Sequence, residues 1–141
     1  MPTALIADDE PHLARYLKEQ LATLWPELTI VATARNGLEA AAGIEAHQPD
    51  IAFLDIRMPG LTGLEVAQGI EGRTRVVFVT AYDEFAVQAF EQAALDYLLK
   101  PVTAERLGRS VQRRRGAVEA PAAGAERDGR LAPALKGLLP A

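Results

Sequence analysis

Five short apolar stretches, each followed by a segment of helical spacing, constrain this 141-residue chain more than any other feature. They fall at Thr3–Ala7, 28–34, Ile51–Leu54, 75–79 and 95–99. Strands separated by helices of this length imply a parallel sheet with right-handed crossovers. The unbroken apolar run at 51–54 suits a strand covered by helices on both faces. The expected architecture is therefore a five-stranded doubly wound parallel α/β sheet, with the flavodoxin-like strand order 2-1-3-4-5 as first candidate.

Local signals mark the helices. Pro11 stands where a first helical turn tolerates proline, its missing N–H having no partner there in any case, and Leu13, Leu17, Leu21 and Leu24 then share one helical face. Asn36-Gly37 turns the chain into a second helix, ended by Pro49 because the residue before a proline avoids the right-handed helical region. Met58-Pro59-Gly60 reads as a loop, and Thr62 with Glu65 has the spacing of a capping box. Asp83 is a candidate cap for a fourth helix with Phe85, Ala89 and Phe90 on its face. Thr103 is the candidate cap for a fifth, which carries Leu107 and Val111. Cations at Arg113-Arg114-Arg115 complement a helix's last turn, with Gly116 as the stop.

From Gly116 the composition turns to Ala, Gly and Pro, a linker composition. The expected division is a domain over 1–115 and a linker or tail over 116–141, where Leu131, Leu135, Leu138 and Leu139 form a short amphipathic pattern. One domain of this size buries roughly two thirds of its unfolded surface. With no cysteines, disulfides, thiolate metal sites and thiol nucleophiles are excluded. No apolar run approaches the ~20 residues that span a bilayer, so no membrane contact and a cytoplasmic location are expected. Charge is uneven. Residues 105–141 hold eight of the 15 basic groups and four of the 19 acidic ones, leaving the body at −8. An acidic body does not suit direct nucleic-acid contact, which needs a basic footprint.

The chemistry collects behind the strands. Asp8-Asp9 follows the first, Asp55 the third, Thr80 the fourth and Lys100-Pro101 the fifth. In an open parallel sheet, residues just past the carboxyl ends of strands converge on one crevice. Asp8, Asp9 and Asp55 placed together would repel one another and raise each other's pKa unless a cation lay among them. Oxygen-only ligands suit a hard ion such as Mg²⁺. One carboxylate could then attack phosphorus to form an aspartyl phosphate, with Lys100 and Thr80 spreading the charge of the transferred group. Each piece alone has a plainer explanation: an acidic helix start, a strand-end residue, a loop cap, a turn. All of these would have to hold at once at the ends of four different strands.

The segments ADDE (7–10), FLDIRMPGLTG (53–63), VFVTAYDEFA (77–86) and DYLLKP (96–101) resemble a response-regulator receiver domain, the CheY-like module of two-component signalling. That resemblance implies Asp55 as phosphoacceptor, and Mg²⁺ held by Asp8, Asp9, Asp55 and the backbone carbonyl of Arg57. It further implies Thr80 and Lys100 as the phosphoryl-sensing pair, Tyr97 as the aromatic switch, and a cis Lys100–Pro101 bond. The implied partners are a sensor histidine kinase and a second copy of the chain, through helix 4, strand 5 and helix 5 at 85–92 and 104–111. It implies a signalling phosphoacceptor that assists its own phosphorylation and dephosphorylation, not an enzyme with a separate substrate. Residues 80–102 resemble receivers joined to LytTR-type domains, so DNA contact is expected through a domain beyond this segment. A haloacid-dehalogenase-type phosphatase also uses a strand-end Asp, but needs a second Asp two residues later, where this chain has Arg57.

Overall fold

Strand register is what brings the polar residues together. In the computed structural model, which describes residues 1–91 and 94–119, the chain alternates β1 (Thr3–Ala7), α1 (Pro11–Leu24), β2 (Thr29–Ala34), α2 (Gly37–His47), β3 (Ile51–Leu54), α3 (Gly63–Gln68), β4 (Arg75–Thr80), α4 (Ala86–Glu91), β5 (Asp96–Leu99) and α5 (Ala104–Glu119). The strands form one sheet in the order β2-β1-β3-β4-β5, every pair parallel. This is the expected doubly wound arrangement. The residues from 120 onward, including the Leu131, Leu135, Leu138 and Leu139 pattern, lie outside the described residues. So do Gln92 and the side chains of Phe85 and Phe90.

Alternation along the strands splits the core in two, because successive side chains point to opposite faces. Ala4, Ile6, Phe53, Val77, Val79 and Leu98 pack with Leu17, Leu21 and Trp25 of the first helical connection and Leu107 and Val111 of α5. Leu5, Ala7, Leu54, Phe78 and Tyr97 pack on the other face with Ile44, Val66 and Ala89. Both faces of β3 are thus covered, which is why its four residues are all apolar and buried.

Several helix signals act as read. Pro11 opens α1. The Asn36 side chain accepts from the Glu39 N–H at 2.8 Å, and Thr62 with Glu65 forms a full capping box. The Thr103 hydroxyl accepts from the Arg106 N–H at 3.1 Å. Ahead of Pro49, Gln48 leaves the helical region for φ 45°, ψ 56°.

Three expectations need correction. Asp83 does not cap α4: it lies inside a 3-10 turn (Asp83–Phe85) that follows Tyr82 and leads into the helix. Gly116 does not stop α5, which runs on to Glu119. A lone glycine costs a helix only ~1 kcal/mol relative to alanine, and good helix formers flank this one. Arg113 therefore does not sit in the last turn. Instead its Nη2 lies 3.1 Å from Asp96 Oδ2, while Arg106 Nη2 is 3.3 Å from Asp96 Oδ1. The two arginines, about two helical turns apart, clamp α5 to the start of β5.

Candidate phosphoacceptor site

Ala7 pairs with Leu54, Leu54 with Phe78, and Thr80 with Leu99. The next residue along β1, β3 and β5 is respectively Asp8, Asp55 and Lys100, so the register delivers them side by side at one sheet edge. Ladder bonds continue into these residues: the Asp55 N–H donates to the Ala7 carbonyl at 2.9 Å, and the Lys100 N–H to the Thr80 carbonyl at 2.8 Å. Backbone bonds thereby fix the functional residues.

Lys100 bridges the two buried carboxylates. Its Nζ lies 2.9 Å from Asp55 Oδ2 and 2.9 Å from Asp8 Oδ2. The first contact has hydrogen-bond alignment. The second is a charge contact, leaving the buried Asp8 Oδ2 without an aligned donor, whereas Asp8 Oδ1 accepts from the Glu10 N–H at 2.9 Å. Burial pushes the Asp55 pKa up, and Asp8 adds repulsion, against the hydrogen bond and charge of Lys100 and the Thr80 hydroxyl. Burial opposes the Lys100 ammonium, yet its contacts with the Asp8 and Asp55 carboxylates outweigh that and raise its pKa. The Lys100–Pro101 peptide is cis, as expected.

The metal question turns on donor chemistry. Asp8, Asp9 and Glu10 can each offer a carboxylate oxygen within 4.8 Å of the others. Asp9 shares an open recess with Arg57, Met58 and Thr62. Oxygen donors alone, a buried Asp8 and an exposed Asp9 fit a hard divalent ion that keeps several waters. Asp55 stands outside this group and is tied to Asp8 by the shared Lys100. Glu10 has no assigned role in the sequence reading; its adjacency to Asp8-Asp9 is the only signal for it.

Thr80 is fully buried, and its hydroxyl faces the Tyr82 N–H at 3.4 Å. Tyr97 is buried too, tilted against Phe78 with ring centroids 6.3 Å apart, and its hydroxyl donates to the Tyr82 carbonyl. The ring points inward. Arg57 is exposed, its guanidinium carbon 4.5 Å from the Tyr82 ring centroid.

One constraint escaped the sequence reading. Gly63, the first residue of α3, donates its N–H to the Ile56 carbonyl at 2.8 Å, and a Cβ there would stand 2.2 Å from the Asp55 carbonyl oxygen. Only glycine lets α3 begin so close behind the Asp55 peptide.

Residues 4–112 match the response regulator receiver domain family, and the chain belongs to it. It is the receiver domain of a two-component response regulator, a class that interacts with histidine kinases. The chain is 56% identical over 108 residues to an uncharacterized response regulatory protein of Vibrio cholerae, covering 74% of this chain and 41% of that protein. It is 43% identical over 117 residues to the transcriptional regulatory protein BtsR of Salmonella typhi, covering 82% and 48%. The response regulatory domain of protein mrkE from Klebsiella pneumoniae superposes with TM-score 0.78 at 32% identity, covering 83% of this chain and 98% of that one. The chain spans less than half the length of these two curated relatives. Among the described residues no helix is long and apolar enough to cross a membrane.

Proposed function

We propose that Asp55 takes a phosphoryl group from a sensor histidine kinase. The observation that carries this is the buried Asp55 carboxylate at the end of β3, held 2.9 Å from an ammonium it shares with Asp8. A carboxylate oxygen of Asp55 attacks phosphorus while the P–N bond of the kinase's phosphohistidine breaks. The bond's electron pair stays on the imidazole nitrogen. Lys100 and the Thr80 hydroxyl then bind phosphoryl oxygens. Asp8, Asp9, Asp55 and the Arg57 backbone carbonyl would hold Mg²⁺, which neutralises phosphoryl charge when bound.

The switch is Tyr97, acting with Thr80 on the face formed by α4, β5 and α5. Phosphorylation would stabilise the inward state of the ring relative to an outward one, and a partner must tell the states apart. That partner is a second copy of the chain, through 85–92 and 104–111. The receiver unit runs through the end of α5 at Glu119, four residues past the expected boundary at 115, with the residues beyond leading towards a LytTR-type DNA-binding domain in a cytoplasmic regulator of transcription. The Ala/Pro-rich composition of the tail and the match to only 48% of a relative such as BtsR support this reading.

Acetyl phosphate with Mg²⁺ should add one phosphoryl group by intact mass, and Asp55→Asn should abolish it, since an amide is a poor nucleophile towards phosphorus. Undiminished labelling of that variant would move the acceptor elsewhere. Asp9→Ala should weaken Mg²⁺ binding, read by the thermal shift the ion produces; an equal shift in both proteins would remove Asp9 from the metal site.

A further inference from the structure

Tyr82 touches three neighbours with three different groups. Its ring carries the Arg57 guanidinium at 4.5 Å, its carbonyl accepts from the Tyr97 hydroxyl, and its N–H faces Thr80 Oγ1 at 3.4 Å. Arg57 belongs to the loop after β3, two residues beyond Asp55, whereas Tyr82 belongs to the loop after β4. The same guanidinium lies 3.7 Å from Glu84 Oε1. The exposed stack on Tyr82 thus straps together the two loops that border the acidic crevice.

We propose that the Arg57 side chain is a positioning residue for Tyr97: by stacking on Tyr82 it holds the Tyr82 carbonyl where the inward tyrosine needs it. The functional weight of this rests on the reading of Tyr97 as the switch. The turn that follows Tyr82 is a single 3-10 turn without a side-chain cap, so the ring stack is one of the contacts that set the position of the Tyr82 carbonyl. The Glu84 contact is long and joins two side chains about 60% exposed, and such pairs contribute little. The aromatic stack is the stronger element. An exposed cation–aromatic contact biases a two-state equilibrium by about two- to five-fold. Losing it should free the carbonyl and let Tyr97 turn outward in that proportion.

The chain has three tyrosines, at 16, 82 and 97, so 3-fluorotyrosine labelling gives three ¹⁹F signals, each assigned by its Tyr→Phe variant. The spectra are taken without Mg²⁺ or phosphodonor, so the outcome is independent of whether Asp55 accepts phosphate. In Arg57→Gln the Tyr97 signal should move towards its solvent-exposed position, with the inward-to-outward ratio falling about two- to five-fold. Arg57→Lys, which keeps a cation over the ring, should fall between parent and Arg57→Gln. Glu84→Gln should match the parent. A Tyr97 signal unchanged in Arg57→Gln would overturn the proposal. So would a displacement as large in Arg57→Lys or Glu84→Gln as in Arg57→Gln.

Discussion

Replacing Gly63 by alanine tests whether α3 really begins against the Asp55 peptide. The added Cβ would stand 2.2 Å from the Asp55 carbonyl oxygen and 3.0 Å from both Asp55 C and Ile56 Cα. All three are backbone atoms, so no rotamer change relieves the clash. Reaching an ordinary contact of 3.4 Å needs a separation of about 1.2 Å between the helix start and the end of β3. That movement would stretch the 2.8 Å bond from Gly63 to the Ile56 carbonyl. Overpacking of this kind costs ~1–3 kcal/mol and the weakened hydrogen bond about 1 kcal/mol more. The smaller conformational freedom of alanine in the unfolded chain returns ~0.4–1 kcal/mol. The net loss is about 1–3 kcal/mol, or a Tm roughly 4–12 °C lower for a domain of this size. Gly69→Ala is the control. Gly69 has φ −84° and no neighbour nearer than 3.6 Å to an added Cβ, so that variant should melt at or slightly above the parent. Scanning calorimetry of the three proteins reads the difference. Labelling by acetyl phosphate should also fall, because misplacing a reacting group by ~1 Å can slow a reaction by ~10²-fold. If Gly63→Ala melts with Gly69→Ala, the close approach is not a constraint and the reasoning fails.

Asp96 and Asp55, two of the three buried aspartates among the described residues, should respond to pH with opposite signs. At Asp96 burial opposes ionisation, but the adjacent Ser110 hydroxyl, the Tyr97 N–H and Arg106 outweigh it and lower the pKa. Its stabilising contribution is therefore full above about pH 4 and fades as pH falls through the depressed folded value. Asp96→Asn should cost ~1–2 kcal/mol at pH 7, a gap that narrows in acid; a gap constant with pH would argue against the clamp. Asp55 behaves the other way. Its pKa is raised by burial, so its contribution is full below the unfolded value and lost as pH rises through the folded one. In metal-free buffer at pH 7, Asp55→Asn should melt above the parent, with the difference vanishing in acid. A lower melting temperature for that variant would mean that Lys100 needs the charge more than burial opposes it.

Much of this fold was legible because its signals are local. The apolar runs, Pro11, Asn36, Pro49, the Thr62–Glu65 box and Thr103 each act within four residues, and the structure uses them as read. The polar residues behind the strands were legible for a different reason. A parallel sheet forces strand ends to one edge, so Asp8, Asp55, Thr80 and Lys100 converge once the strand order is settled. What stayed hidden depends on separations that spacing does not encode. The clash that requires Gly63 arises from a backbone eight residues upstream. The Asp96 clamp pairs β5 with a helix position 17 residues later, where a run of three arginines read more simply as a dipole-complementing end. Asp83 failed as a cap because the chain makes a 3-10 turn before α4, and no residue type alone marks that choice.

A related contrast separates the carboxylate of Asp96 from that of Asp55. Asp96 and Asp55 are both buried aspartates on strand termini, yet only Asp96 has enough donors to be more comfortable charged inside the fold than in water. Asp55 has one shared ammonium and a hydroxyl set against burial and the nearby Asp8. Lys100 must serve two carboxylates at once, so neither receives a full counter-charge. The folded domain therefore holds Asp55 ionised at a disadvantage, which a cation bound among Asp8, Asp9 and Asp55 would relieve. By linkage, that relief appears as affinity for the cation. An additional arginine beside Asp55 would make the domain more stable and, for the same reason, weaken both its hold on a metal and the nucleophilicity of the carboxylate.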